Sequence, residues 1–565
     1  MLITDFYKIG HPNQYHPNTR LVYSNETARK SRMEGMNHIV VAGIQGFIKE
    51  YLIDHFNKNF FGKTEEEVIK SYSRRIRTAL GSDLEPLKHK FYKKNFPNDP
   101  YGHIRHLHRL GRLPLVIKSL PEGTRVKMGV PFITIVNKKE HPELFWLTNF
   151  IETIMSASTW QAMTSATIAH EYRKVFNKYA MLTVGNTDFV PFQGHDFSFR
   201  GMSSLQSACY SGAAHLLSFV GSDTIPAIDY LELYYNADAD KELIGCSVNA
   251  TEHAVMCSNT GFYVWDKAEG DWTKIGECEL EVFRYLITVL YPKGIVSIVS
   301  DTWDLWRVLV DYARILKNEI LARDGKVVFR PDSGNPVDII CGENESYRVI
   351  SKEDIDKPYI LSEGQKFIFI EESSDTNQSF YTKTKDGYIP YERLSKNKGV
   401  VELLWEIFGG TMTDKGFKLL DSHVGCIYGD SITIKRADEI CSRLMNKGFA
   451  SINWVAGIGS FTYQFNTRDS FGLAVKATYC EAMSSDETRF FEIPIFKDPI
   501  TDDGTKKSAK GLLYVGKDEN GEYYLEDNVS WEKEATGELV TIFDDGVLVK
   551  ETSLSEIRER LSQYL

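Results

Sequence analysis

The run "VVFRPDSGNP" at residues 327–336 places Arg330, Pro331 and Asp332 directly after a short apolar stretch of strand character. A guanidinium fork binds phosphate oxygens in pairs. A carboxylate at the same strand end suits ribose hydroxyls or a magnesium ion bridging phosphates. The arrangement recurs along the chain. "GIVSIVS" at 294–300 ends at Asp301, and "VGCIY" at 424–428 ends at Gly429 and Asp430. "INWVAG" runs into Gly457, Ile458, Gly459 and Ser460, with Arg468 shortly beyond. Glycine lets backbone N–H groups approach a phosphate closely. One such strand end reads equally well as a helix cap or a structural ion pair. Four in succession describe a site for a phosphorylated sugar.

Two further clusters carry chemistry. "GHDFSFRGMSS" (194–204) packs His195, Asp196, Phe197, Phe199 and Arg200 into six residues. An aromatic ring beside an arginine can stack on a flat heterocycle and hold an anion nearby; the plainer reading is a buried turn with a His–Asp hydrogen bond. "CSVNATEHAVM" (246–256) sets Glu252 and His253 among small residues. A lone histidine is usually structural; the alternative is a general base or a nucleophile toward a phosphoryl group.

The elements that must position these groups follow from periodicity. The β-branched runs at 294–300, 327–329, 424–428 and 452–457 suit strands buried on both faces. Helical patterns follow at least two of them, over 303–321 and 436–447. Repeated strand–helix units predict a parallel α/β core, β/α barrel-like, with its ligand at the carboxyl ends of the strands. This core is expected over 191–469, with a polar insert near 340–400 read as a small β element or lid. Residues 1–190 and 470–565 are expected to form a mixed α+β domain. Thr64 to Glu67 resembles a capping box ahead of a helix to about residue 80. The C-terminal region reads as short strands, with turns at Asp503-Gly504, Asn520-Gly521 and Asp545-Gly546, closing on a helix at 554–561.

Composition excludes several classes. The 565 residues carry a net charge of −11 with no long block of one sign, so nothing marks a nucleic-acid groove. No run of about 18 apolar residues suggests a membrane span, and the opening residues lack a secretory pattern. The eight cysteines are scattered without a CxxC pair, so neither a disulfide framework nor a cysteine zinc site is expected. A cytoplasmic location is the expectation.

Taken together, "GHDFSFRGMSS", "GSDT", "SVNATEH", "SIVSDTWD", "FRPDSGNP", "IYGDSI" and "NTRD", in this order and spacing, resemble the nicotinamide phosphoribosyltransferase family. These are type II phosphoribosyltransferases of NAD salvage. The opening "TDFYKIGHPNQYHPNT" and the later "FKDP" extend the resemblance over most of the chain. It implies transfer of a phosphoribosyl group from 5-phosphoribosyl 1-pyrophosphate to nicotinamide, with Mg²⁺ and with ATP as co-substrate through a phosphorylated histidine. It also implies a homodimer with shared active sites.

Residue by residue, the resemblance implies that Phe197 and Tyr7 sandwich the nicotinamide ring, Tyr7 coming from the partner subunit. Asp223 is then the carboxamide contact. Ser247 and Ser297 lie near the base pocket. Arg200, His253 and Arg330 form the pyrophosphate set. Asp332 holds ribose hydroxyls or, through water, magnesium. Gly429, Asp430, Gly459, Ser460 and Arg468 contact ribose and phosphate, with Lys476 and the Lys506, Lys507 and Lys510 loop as secondary candidates. His253 is the expected phosphorylation site and Asp301 its orienting partner. The rival readings are nicotinate transfer, quinolinate transfer, and a non-enzymatic binding or signalling protein on the same scaffold.

Overall fold

The computed structural model describes the chain except residues 344–347, 351–364, 371–377, 386, 391–393, 430, 498–499 and 502–507. It divides into two compact units. One comprises Tyr172–Phe197 and Ser247–Gly459; the other comprises Met1–Glu171, Ser198–Cys246 and Ser460–Leu565.

The first of these carries the strand ends singled out above. Its strands are β1 (Gly194–Asp196), β2 (Asn249–Ala250), β3 (Lys293–Val299), β4 (Asp324–Arg330), β5 (Val424–Tyr428) and β6 (Trp454–Ile458). They lie in the order β1-β6-β5-β4-β3-β2, every neighbouring pair parallel. The result is a curled, half-barrel parallel sheet within a mixed α/β fold. Val296, Ile298 and Val299 of β3, Val327 and Phe329 of β4, and Trp454, Ala456 and Ile458 of β6 are all buried. Near-continuous burial explains why β5 and β6 read as unbroken apolar runs, whereas β4 alternates between buried and half-buried positions.

Helices follow the strands. His253–Ala268 follows β2, Pro336–Cys341 follows β4 and Ile434–Asn446 follows β5. After β3, helical structure begins at Leu305, because the Asp304 side chain accepts from the Trp306 and Arg307 N–H groups at 3.0 and 3.1 Å. The helical pattern expected over 303–321 is helical from Leu305 to Leu321, with a wider turn at Val308–Tyr312 and a distortion at Leu316. Between β4 and β5, the strands Arg348–Ile350, Lys366–Ile370, Gln378–Thr384 and Gly387–Pro390 form a separate four-stranded sheet. These strands fall at the expected polar insert, much of which lies outside the described residues.

The other unit is built on an antiparallel seven-stranded sheet. Its order is Phe490–Pro494, Leu473–Met483, Thr19–Ala28, Pro131–Asn137, Leu115–Ser119, Val540–Asp544 and Val547–Leu548. N-terminal and C-terminal segments interleave in one sheet: Thr19–Ala28 sits between Pro131–Asn137 and Leu473–Met483. The capping box at Thr64 and Glu67 is present and starts the helix Glu65–Leu80. The final helix spans Leu554–Ser562, with its own capping box from Ser553 and Glu556. The turn expected at Asp503-Gly504 lies outside the described residues.

Candidate active site

The carboxyl ends of β2, β3 and β4 converge on one carboxylate. Asp301 follows β3, and its Oδ2 accepts the backbone N–H of Asp332 at 2.8 Å and the Ser333 hydroxyl at 2.6 Å. Its Oδ1 is buried and makes no hydrogen bond. His253 faces it, with Nε2 at 3.8 Å from Asp301 Oδ1 and 4.0 Å from Asp332 Oδ2. The other ring nitrogen, Nδ1, lies 3.2 Å from the Thr302 hydroxyl. The exposure of the two carboxylates differs sharply: the Asp301 side chain is 4% exposed and that of Asp332 is 41% exposed. The first lies beneath the loop, and the second stands at the surface.

Thr251, just past β2, locks this corner. Its N–H donates to the Ser297 carbonyl at 3.0 Å, and its hydroxyl accepts the Val299 N–H at 2.9 Å. Its carbonyl accepts from the Arg330 guanidinium. That bond aims the guanidinium across the strand ends. Two residues on, His253 opens a 16-residue helix whose N-cap, Glu252, makes no side-chain cap. The first N–H groups of that helix therefore remain available for an anion. The Ser297 hydroxyl is buried without a hydrogen-bond partner, a polar atom awaiting one.

Two glycines keep the floor open. A Cβ at Gly429 would stand 2.4 Å from Asp332 Oδ1, and one at Gly457 would stand 2.7 Å from the Phe197 ring. The Gly429 N–H also donates to the Pro331 carbonyl at 3.3 Å. Phe197 leaves β1 with its N–H on the Ile458 carbonyl at 3.0 Å, and its ring centroid is 4.5 Å from that of His195. Gly459 closes this unit after β6. Ser247 is exposed just before β2. Asp430 lies outside the described residues. His253, Asp301, Arg330 and Asp332 are thus brought together.

The antiparallel unit holds the remaining candidates. Arg200 is exposed on the turn Phe199–Gly201, and the Ser460 hydroxyl packs so closely on Gly201 that a Cβ there would meet it at 2.0 Å. Asp223 is exposed at the start of the helix Ile225–Tyr235. Tyr7 is an exposed ring on the turn Phe6–Gly10, steadied by His11 at 5.2 Å and by Lys8, whose ammonium pairs with Glu152. Arg468 is half exposed in the turn Arg468–Ser470.

The same unit contains a cationic cavity of about 480 Å³. Asn25, Thr27 and Arg29 line it from one strand end, alternating along the chain, and Ala474, Lys476 and Thr478 line it from the paired strand. Alternation with period two puts each set on one face. Lys30 and Lys497 join them, opposed by Asp527. Burial, then the charges of Arg29, Lys497 and Arg468, lower the Lys476 pKa against the opposing pull of Glu152. A bound anion would relieve that strain. Arg29, Lys30 and Lys497 were not singled out from the sequence. The available signal was the "ARK" at the end of the strand Thr19–Ala28 and the lysine of "FKDP". Lys506 and Lys507 lie outside the described residues.

Comparison with known proteins concerns the family and the fold. The family model described as the nicotinate phosphoribosyltransferase (NAPRTase) family matches residues 192–536. A protein of Acinetobacter baylyi named nicotinamide phosphoribosyltransferase is 44% identical over 572 aligned positions, covering 99% of this chain and 96% of that protein. One of Mycoplasma pneumoniae with the same name is 31% identical, covering 90% of this chain and 94% of that protein. The crystal structure of human nicotinic acid phosphoribosyltransferase superposes with a TM-score of 0.50 at 14% identity, covering 100% of this chain and 93% of that one. That likeness concerns the fold. Sequence relatives, family model and fold converge: the chain belongs to the nicotinate phosphoribosyltransferase family.

Proposed function

We propose that this chain transfers the 5-phosphoribosyl group from 5-phosphoribosyl 1-pyrophosphate to nicotinamide, giving nicotinamide mononucleotide and pyrophosphate in NAD salvage. The observation that carries the proposal is the cluster of Arg330, Asp332 and His253 around the buried Asp301 at parallel strand ends, in a chain 44% identical to a protein of that name.

The bond from ribose C1 to the pyrophosphate oxygen breaks, and a bond from C1 to the pyridine nitrogen forms. The ring nitrogen supplies the electron pair, and pyrophosphate leaves with the pair it gains. The ribose carbon passes through a cation-like state, so the protein's work is positioning and stabilisation of the departing anion. Arg330, Arg200 and the helix N-terminus at His253 serve the pyrophosphate. Asp332 and the Gly429 floor serve the ribose hydroxyls. Gly459, Ser460 and Arg468 serve the 5′-phosphate; separately, the cationic cavity around Lys476 serves ATP or phosphate. Phe197 and Tyr7 hold the ring, with Ser247 and Ser297 beside it; Tyr7 acts from the partner subunit of a homodimer.

The exposed Asp332 carboxylate and the unbonded Oδ1 of Asp301 fit a hard, oxygen-seeking cation. Mg²⁺ held there would neutralise pyrophosphate charge. ATP is the proposed co-substrate. His253 accepts its γ-phosphoryl group, ADP leaves, and Asp301 is the orienting partner of the ring. A cytoplasmic location belongs to the same proposal; among the described residues no helix is long and apolar enough to cross a membrane.

Asp223 decides between bases. An ionised carboxylate accepts from a carboxamide N–H₂ and repels the carboxylate of nicotinate. The second reading, nicotinate transfer, is favoured by the description of the family model. A paired assay separates them. Protein, 5-phosphoribosyl 1-pyrophosphate and Mg²⁺ receive either base, with and without ATP, and the nucleotides are resolved by chromatography. Nicotinamide mononucleotide as the main product supports the proposal. Nicotinate mononucleotide keeps the phosphate chemistry and overturns the role of Asp223. Unchanged rates with and without ATP remove the phosphohistidine.

A further inference from the structure

Among the described residues, one group of three metal-ligating side chains lies within mutual reach of a single ion: His106, His141 and Glu143, their ligand atoms all within 4.8 Å of one another. All three belong to the antiparallel unit, and none takes part in the chemistry above. We propose that they form a binding site for one divalent transition-metal ion of the zinc class, clamping the helix Gly102–Leu110 to the turn Pro142–Leu144.

The geometry is already close. Glu143 Oε1 stands 2.8 Å from His106 Nε2 and 3.3 Å from His141 Nδ1. Two ligand atoms on a tetrahedral zinc, each bonded at roughly 2.0–2.1 Å, stand about 3.3 Å apart. Small rotations of the imidazoles would therefore open room for an ion between the three atoms. Two imidazoles and one carboxylate are a frequent zinc donor set, leaving a fourth position for water. The cysteine count says nothing against such a site, because no thiol is involved.

Access and rigidity both favour it. The His106 and His141 side chains are 19% and 21% exposed, while that of Glu143 is 7% exposed. An ion can reach the imidazoles from solvent and meet a carboxylate held below. The ligands are also positioned from outside the cluster. The Tyr92 hydroxyl donates to the Glu143 carbonyl at 2.9 Å, and the Asn137 amide donates to the His141 carbonyl at 3.3 Å. The Phe91 ring lies 4.5 Å from that of His106, and Pro142 fixes the backbone between the two ligands of the turn. The competing reading is a metal-free triad in which both imidazoles donate to one carboxylate, and it predicts no affinity for zinc.

The test uses the full chain, stripped with chelator and dialysed against Zn²⁺, with bound metal counted by mass spectrometry. His141→Ala is the primary variant, because the side chain is partly exposed; His106→Gln is the second. Wild type should retain about one more Zn²⁺ per chain than either variant, and loss of a ligand should raise the Kd at least about tenfold. Co²⁺ should give visible d–d bands in wild type that both variants lack, and Zn²⁺ should raise the Tm of wild type only. Equal zinc content and affinity in all three proteins would overturn the site, as would wild type that retains no zinc.

Discussion

The backbone N–H of Asp332 donates to the carboxylate of Asp301 at 2.8 Å, so the residue that ends one strand's loop sets the backbone of the next. The same oxygen takes the Ser333 hydroxyl at 2.6 Å. Asp301 is buried and Asp332 is open. A single supporting carboxylate thereby fixes the loop that carries the exposed one, and His253 faces both.

Asp301→Ala should remove this support without emptying the core. Misplacing a reacting group by about 1 Å costs on the order of 100-fold. We expect kcat/KM to fall by about that factor while circular dichroism stays native. A loss of less than about threefold would show that the loop holds itself.

Gly429→Ala probes the floor of the same site. The added methyl carbon would stand 2.4 Å from Asp332 Oδ1, a distance no real contact tolerates, so the carboxylate must move. Steady-state kinetics should show kcat/KM down by about tenfold or more, again by displacement. A variant with native kinetics would mean that the Asp332 side chain swings aside freely and holds nothing.

Asp223→Asn addresses base choice. Replacing the charged acceptor by an amide removes repulsion toward a carboxylate. A charged hydrogen bond is worth about 1.5–3 kcal/mol, so the ratio of kcat/KM for nicotinamide over nicotinate should drop by about tenfold or more. An unchanged ratio would take Asp223 out of the base pocket.

Glu26 supplies a pH prediction. It is fully buried in the strand Thr19–Ala28, and burial followed by the charge of Glu152 raises its pKa to about 8 against the opposing pull of the Thr159 hydroxyl. Between the ordinary carboxylate range and pH of about 8, the native protein keeps this proton and the unfolded chain releases it. Stability therefore falls as pH rises through that window. Glu26→Gln carries no such proton. Its Tm relative to wild type should climb steadily from pH of about 5 to about 8, measured by calorimetry. A flat difference would mean that Glu26 is ionised in the folded protein.

Much of this was legible in the chain. The strands Val424–Tyr428 and Trp454–Ile458 were visible as apolar runs because parallel strands are buried on both faces. The helix after Thr64 was visible through its capping box. The wide turn within 303–321 was not, because its apolar spacing reads the same with or without one. The cationic cavity was not legible either. Arg29, Lys476 and Lys497 stand far apart in sequence and meet only through the pairing of Asn25 with Lys476.

The sequence by itself determined which residues end each buried strand: Asp301, Arg330, Asp332 and Gly429, because hydrophobic periodicity and glycine placement are local properties. Tertiary structure alone decided their partners. The order β1-β6-β5-β4-β3-β2 puts β3 beside β4 in register, Val299 against Arg330. That register is what brings Asp301 under Asp332. In the other unit, the pairing of Thr19–Ala28 with Leu473–Met483 assembles a cavity from both ends of the chain. Strand pairing and register are chosen by long-range packing of buried faces, which no local stretch of sequence encodes.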